Sequence, residues 1–246
     1  MTVHAPSLAI GAAIAAVAII GIFYVMEEMA NEAVFTTSNI EQSEAEKEQD
    51  TLRQESPQAI TMSVLYDNGS PYLGNPDAPI TIVEFGDYQC FFCNKFFHDT
   101  EGMIYDNYIK TGKAKMIFKD FTIIGQDSVT AAHAAHCAGE QEMFWEYHDM
   151  LYNNWDGENN GWASEENQYK FAQKVGLDES AFKECMASGK FYSLIEASSE
   201  DARKLGLTGT PGFFIIGENN RIVRIPGAQP YEVFVNVLES PELKSN

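Results

Sequence analysis

The feature that most constrains this chain is a pair of thiols. In EFGDYQCFFCNKFFHD, residues 84 to 99, Cys90 and Cys93 flank two phenylalanines. The preceding PITIVEF is short, β-branched and apolar, and reads as a buried strand. Beyond the pair, Phe92, Phe96, Met103, Ile104 and Tyr108 recur at helical spacing as far as Gly112. The pair therefore sits where a strand turns into a helix, with Cys90 at the helix N-terminus and Cys93 one turn inside. Unpaired N–H groups and the helix dipole meet at that point and stabilise a thiolate. This spacing predicts Cys90 as the exposed, acidic thiol and Cys93 as the buried one.

Periodicity and turn chemistry place the rest. TMSVLY reads as an edge strand and DNGSPYLGNPDAP as turns. A strand over 80–85, a helix over 90–110 and a strand over 114–121 follow. Asp127 or Ser128 caps a helix to about Ala138, and 142–152 continues helical. Ser164 caps a helix ending at Gly176, and Asp178 caps one ending near Gly189. A helix over 191–205 leads to TPGFFIIGENNRIVRIPG, which reads as a hairpin with strands 213–216 and 222–225. Residues 231–238 form a last helix. Parallel strands joined by a helix and followed by a hairpin make a mixed α/β sheet with helices on both faces.

Residues 5–26, APSLAIGAAIAAVAIIGIFYVM, carry no charge, and as a helix would span roughly 33 Å, enough to cross a bilayer. A cleaved signal sequence, cut near Ala30 or Ala33, is the alternative. Its apolar part is normally about 7–15 residues behind a basic start, whereas the first Lys or Arg here is Lys47. The expected organisation is a membrane anchor over 1–27, an acidic linker over 28–60 and a folded domain over 61–246. A net charge of −20 argues against a nucleic-acid partner.

A CxxC beside a βαβ pattern points to a redox site. Four blocks in order carry a resemblance: GNPDAPITIVEFGDYQCFFC, AAHCAGEQEMFWEYHDMLY, VGLDESAFKECMASGK and GLTGTPGFFIIG. Over about residues 70 to 240 the chain resembles the DsbA-type thiol–disulfide oxidoreductases. The resemblance implies a thioredoxin-like mixed sheet flanked by helices, with an inserted α-helical subdomain at about 127–189, here following an N-terminal transmembrane helix. It implies that the Thr210–Pro211 bond is cis and faces the cysteines. It implies thiol–disulfide exchange between Cys90–Cys93 and thiol-containing exported proteins or peptides, with reoxidation by a membrane redox partner and no organic cofactor. Phe91–Phe92 stands where bacterial oxidases usually carry proline–histidine. Two phenylalanines add no donor or charge and increase desolvation, which disfavours a thiolate.

Glu84 lies six residues before Cys90, where the thioredoxin fold commonly carries a buried acid. Alternation places it on the face shared by Ile80 and Ile82, where it could take the Cys93 proton. Lys119, in KMIFKDF, is a candidate partner for it. Cys137 and Cys185 fall on separate helices of the insertion, and free thiols beside an oxidising site would be a hazard. A structural disulfide between them is expected, requiring Cα atoms about 4.4–6.8 Å apart. Two buried reduced thiols or a regulatory pair are the alternatives.

Three rival functions are compatible with these residues. One is a disulfide reductase or isomerase kept reduced by a membrane electron donor. Another is zinc bound by the four cysteines, although a C-x-x-C…C-x-x-C pattern is missing and His133 and His136 lie in an alanine-rich helix, where packing or surface roles are expected. The third is a binding module with a structural CxxC. Trp145, Trp155, Trp162, Phe144 and Tyr147 could line a peptide groove, but at helical spacing they read as core of the insertion. NNWDGENNGW lacks an EF-hand ligand pattern and is read as a loop.

Overall fold

The computed structural model describes residues 62–244. The expected anchor over 5–26 and the linker over 28–60 lie outside the described residues. Among the described residues no helix is long and apolar enough to cross a membrane.

The first described element is a short helix, α1 (Met62–Tyr66), where an edge strand was expected. A short apolar run cannot settle the choice by periodicity, and the sheet edge that such a strand would need is taken. The Ser70 and Leu73 N–H groups donate to the Phe118 and Met116 carbonyls of the outer strand at 2.8 and 2.9 Å. Leu65 is left to bury itself with Ala202 and Leu205 under the sheet.

Strand β1 (Ile80–Gly86) is wholly buried and central. It pairs in parallel with β2 (Ala114–Asp120) and antiparallel with β3 (Gly212–Ile216), which pairs antiparallel with β4 (Ile222–Pro226). The order β2-β1-β3-β4 is the expected mixed sheet. β1 and β2 are joined by α2, residues 91–109, which starts as Phe91–Phe96 and contains two stretches of wider π-type turns, Phe97–Glu101 and Tyr105–Ile109. The Lys110 N–H accordingly reaches back five residues to Tyr105 O. Alternation splits the sheet side chains. Ile80, Ile82 and Phe213 pack with α2 and the last helix, α8 (Tyr231–Leu238), whereas Val83, Phe85 and Ile117 pack against Leu65 and Ala202 on the other face.

Five helices lie between β2 and β3: α3 (Gln126–Gly139), α4 (Phe144–Asn153), α5 (Glu165–Val175), α6 (Glu179–Ser188) and α7 (Tyr192–Lys204). Gly176 and Gly189 end α5 and α6 at φ 91° and 64°, which glycine adopts without Cβ strain. The Asp178 side chain caps α6 by accepting the Ala181 N–H at 2.9 Å. Ser164 occupies the cap position of α5, but its side chain makes no capping bond. The insertion has its own core of Ala131, Ala135, Phe144, Tyr147, Leu151 and Phe182, continuous with Cys93 and Tyr88.

Candidate active site

Register explains why two segments 120 residues apart meet. Antiparallel pairing sets Gly212, the first residue of β3, opposite Phe85 near the end of β1. Pro211 therefore lies beside the point where β1 gives way to α2. The Thr210–Pro211 bond is cis, and the Cys90 thiol donates to the Thr210 carbonyl oxygen at 3.4 Å.

Cys90 occupies the cap position of α2 with an extended backbone, and Cys93 lies one turn in. Both are free thiols. The expectation of an exposed Cys90 is corrected, because Cys90 is only 5% exposed and Cys93 0%. The Thr210–Pro211 segment covers the sulfur, and solvent meets the dipeptide instead, with Phe91 and Phe92 49% and 56% exposed.

The two sulfurs nonetheless differ. The Cys90 thiol is lowered from 9.0 to about 6, chiefly because Cys93 donates to it; the Thr210 side chain and the N–H groups of Cys93 and Phe92 add to this, against the cost of burial. Cys93 is pushed well above 9.0, first by burial, then by its bond and charge interaction with Cys90 and by the charge of Glu84. A proton resting on Cys93 therefore stabilises negative charge on Cys90.

Glu84 is buried on the expected face, and neither carboxylate oxygen has a hydrogen-bond partner. Burial pushes its pKa well above 4.5, helped by the charges of Glu101 and Cys90. Lys119 does not pair with it, which corrects the expectation. Register sets Lys119 opposite Phe85 and Phe118 opposite Glu84, so the two charged side chains project from opposite faces of the sheet. Lys119 Nζ donates instead to Asp201 Oδ2 at 2.9 Å, to Val64 O at 3.0 Å and to Asp67 O.

Cys137 and Cys185 are joined as a disulfide between α3 and α6, with Cα atoms 5.7 Å apart. The four cysteines are thus not a single donor set. His133 and His136 are buried packing residues, and His136 Nε2 lies 2.7 Å from Asp120 Oδ2. The one cluster of potential metal ligands among the described residues is Glu101, His148 and Asp149, with one ligand atom of each within 4.8 Å of the others.

The loop after α4 reaches the site, which its sequence did not indicate. Trp155 Nε1 donates to Gln89 O at 2.8 Å, and its ring stands 5.9 Å from that of Phe91. Phe144, Tyr147 and Trp162 are insertion core, as expected. Glu158 Oε1 accepts the Phe91 N–H at 3.1 Å, so a carboxylate sits on the first free donor of α2. Asp87 was also overlooked. It is buried and accepts from the N–H groups of Gln89, Ile123 and Ile124 at 2.9, 2.8 and 3.0 Å, fixing the turn into the cysteines. An aspartate two residues before an N–H it can accept is an Asx-turn signal that was present in GDYQC.

The fold that presents this CxxC has counterparts among known proteins. The family model described as thioredoxin matches residues 67–238. Disulfide bond formation protein D of Bacillus subtilis is 28% identical over 159 residues, covering 63% of this chain and 70% of that relative. The crystal structure of oxidised BdbD from Bacillus subtilis superposes with a TM-score of 0.62 at 26% identity, covering 69% of this chain and 91% of that one. Wolbachia pipientis α-DsbA1 gives 0.60 at 28% identity, covering 70% and 89%. The chain belongs to the thioredoxin family, and within it is a DsbA-like protein disulfide oxidoreductase.

Proposed function

We propose that this protein forms disulfides in exported proteins outside the cytoplasm, through the Cys90-Phe-Phe-Cys93 pair. A substrate thiolate attacks the Cys90–Cys93 disulfide at Cys90, forming a substrate–Cys90 bond and releasing the electron pair to Cys93. A second substrate thiolate then attacks the substrate sulfur. The substrate leaves oxidised, and Cys90 leaves as a thiolate. The observation that carries this reading is the opposite displacement of the two thiols. Cys90 falls to about 6, which makes it the better leaving group, while Cys93 rises and holds its proton. The exposed rings of Phe91 and Phe92 offer apolar contact to an unfolded substrate.

An oxidising site has use only outside the reducing cytosol. In this reading residues 5–26 anchor the chain with its N-terminus inside, residues 28–60 tether the domain, and a membrane partner reoxidises Cys90–Cys93. The relatives named for disulfide bond formation support the direction of transfer.

The experiment mixes oxidised protein with a reduced, unfolded disulfide protein and follows both. The reading expects disulfides in the substrate and one reduced Cys90–Cys93 pair for each disulfide formed. An oxidised pair that persists beside a reduced substrate contradicts it. Protease added to intact cells should release the domain; release only from broken cells contradicts the orientation.

A further inference from the structure

The buried acid beneath the cysteines is part of a larger polar group that the exchange steps do not use. Six side-chain atoms without hydrogen-bond partners belong to five neighbouring residues: both oxygens of Glu84, Oε2 of Glu101, Nε2 of His148 and the hydroxyls of Tyr88 and Tyr152. They come from β1, its following turn, α2 and α4. The rings are in contact, with Tyr88 5.2 Å from Tyr152 and His148 5.0 Å from Tyr152 and 5.7 Å from Tyr88. Isolated orphans of this kind are rare, and a polar group of them in one place is a site that buried water can satisfy. The group reaches the surface. His148 Nδ1 stands 3.2 Å from Oδ1 of the exposed Asp149, and Glu101 and Asp149 both line a cavity of about 300 Å³ beside Trp145 and Tyr105.

We propose that Glu101, His148 and Asp149 form the outer half of a water-filled proton path that connects Glu84, and through it Cys93, with solvent on the insertion side of the domain. This rests on the exchange reaction proposed above and assigns its proton route. When a substrate thiolate opens the disulfide, Cys93 is released as a thiolate whose proton affinity is high. Glu84 gives its proton to the Cys93 sulfur and becomes a carboxylate. Glu101 reprotonates Glu84 through water, and a solvent proton entering past Asp149 and His148 restores Glu101. On reoxidation the same proton leaves in the opposite direction. Neither Glu84 nor Cys93 is then left charged in the core at the end of either half-reaction.

The charges fit this use. Glu101 is raised from 4.5 to about 7, chiefly by burial, with Asp149 adding to the rise and His148 opposing it. It can therefore accept and give a proton near neutrality. Facing it are Glu84 on β1, Tyr88 on the following turn, and His148, Asp149 and Tyr152 on α4. Glu101 and His148 act through Glu84 and are positioning residues.

The test is stopped-flow reduction of the oxidised protein by dithiothreitol across pH, for the unsubstituted chain, Glu101→Gln and Asp149→Asn. The unsubstituted chain should show an inflection near pH 7 beyond that of the dithiothreitol thiol itself. Glu101→Gln should lose that inflection and react about tenfold slower on its neutral side. Asp149→Asn, an exposed change that does not threaten folding, should shift the inflection downwards, and Glu101→Asp should restore one. Profiles in both Glu101→Gln and Asp149→Asn that match the unsubstituted chain overturn the path. So does a stoichiometric divalent cation held by Glu101, His148 and Asp149 in the isolated protein, since it would occupy the route. An unsubstituted chain that does not exchange with dithiothreitol at all contradicts the exchange reading itself, which separates the two failures.

Discussion

The carbonyl oxygen of Thr210 stands 3.4 Å from the Cys90 sulfur, although the two residues are 120 positions apart in the chain. This contact closes the site. It covers the sulfur that has to react, and it leaves the Thr210 hydroxyl, which has no other partner, free to turn toward the thiolate once the proton has gone. Reactivity here is set by donors around the sulfur rather than by open access to it.

The first prediction concerns that sulfur. In the reduced protein Cys90 should titrate near pH 6, followed by thiolate absorbance in the ultraviolet, and limiting iodoacetamide at that pH should label it before Cys93. The pKa of Cys90 is depressed on folding. The stability this contributes to the reduced chain is complete above about pH 9 and is lost as pH falls through about 6. Preferential labelling of Cys93 contradicts the assignment.

A second prediction follows from Glu84, which is buried, unpartnered and raised. The folded chain holds this proton more tightly than the unfolded chain. The associated stability is present below pH 4.5 and declines as pH rises toward the folded value. Glu84→Gln should remove that decline and melt higher than the unsubstituted chain at pH 8, on a scale of about 2–4 °C per kcal/mol for a chain of this size. Melting curves with unchanged pH dependence contradict this.

Glu158 supplies a third. Its carboxylate accepts the Phe91 N–H and brings negative charge to the helix terminus that favours the Cys90 thiolate. Glu158→Gln keeps an acceptor and removes the charge. The Cys90 midpoint should fall by about 0.2–0.7 pH unit at low salt, and by less as salt is added. A midpoint that stays put or rises shows that the carboxylate does not act on the sulfur.

The fourth concerns Cys137 and Cys185, which pin α3 to α6 across a separation of 48 residues. In the chain-entropy model, closing such a loop stabilises by roughly 4 kcal/mol. Mild dithiothreitol should open Cys90–Cys93 while this bond persists, and replacing both residues by serine should lower the melting temperature. Mass spectrometry finding both thiols free in untreated protein contradicts the pairing.

Much of this was legible in sequence because it is local. The strand–helix junction at Cys90, the glycine stops at 176 and 189 and the hairpin after Pro211 depend on neighbouring residues, and they lie within a residue or two of the places where pattern and turn chemistry set them. Alternation also placed Glu84 on the correct face of β1. The errors arose where a second segment decides. Whether Lys119 meets Glu84 depends on the register between β1 and β2, which neither strand encodes alone. Whether TMSVLY is a strand depends on an edge already used by Ser70 and Leu73. His148, Trp155 and Glu158 reach the site only because the insertion folds back over α2, and no spacing within the chain marks that return.

The reduction potential of the Cys90–Cys93 pair, measured by equilibration with glutathione buffers, tests the central claim most directly. A thiolate stabilised to about 6 favours the reduced form, so the pair should be more oxidising than thioredoxin, whose potential is about −270 mV. A potential at or below about −270 mV would mark a pair that gives electrons to its substrates, and would contradict disulfide formation as its role.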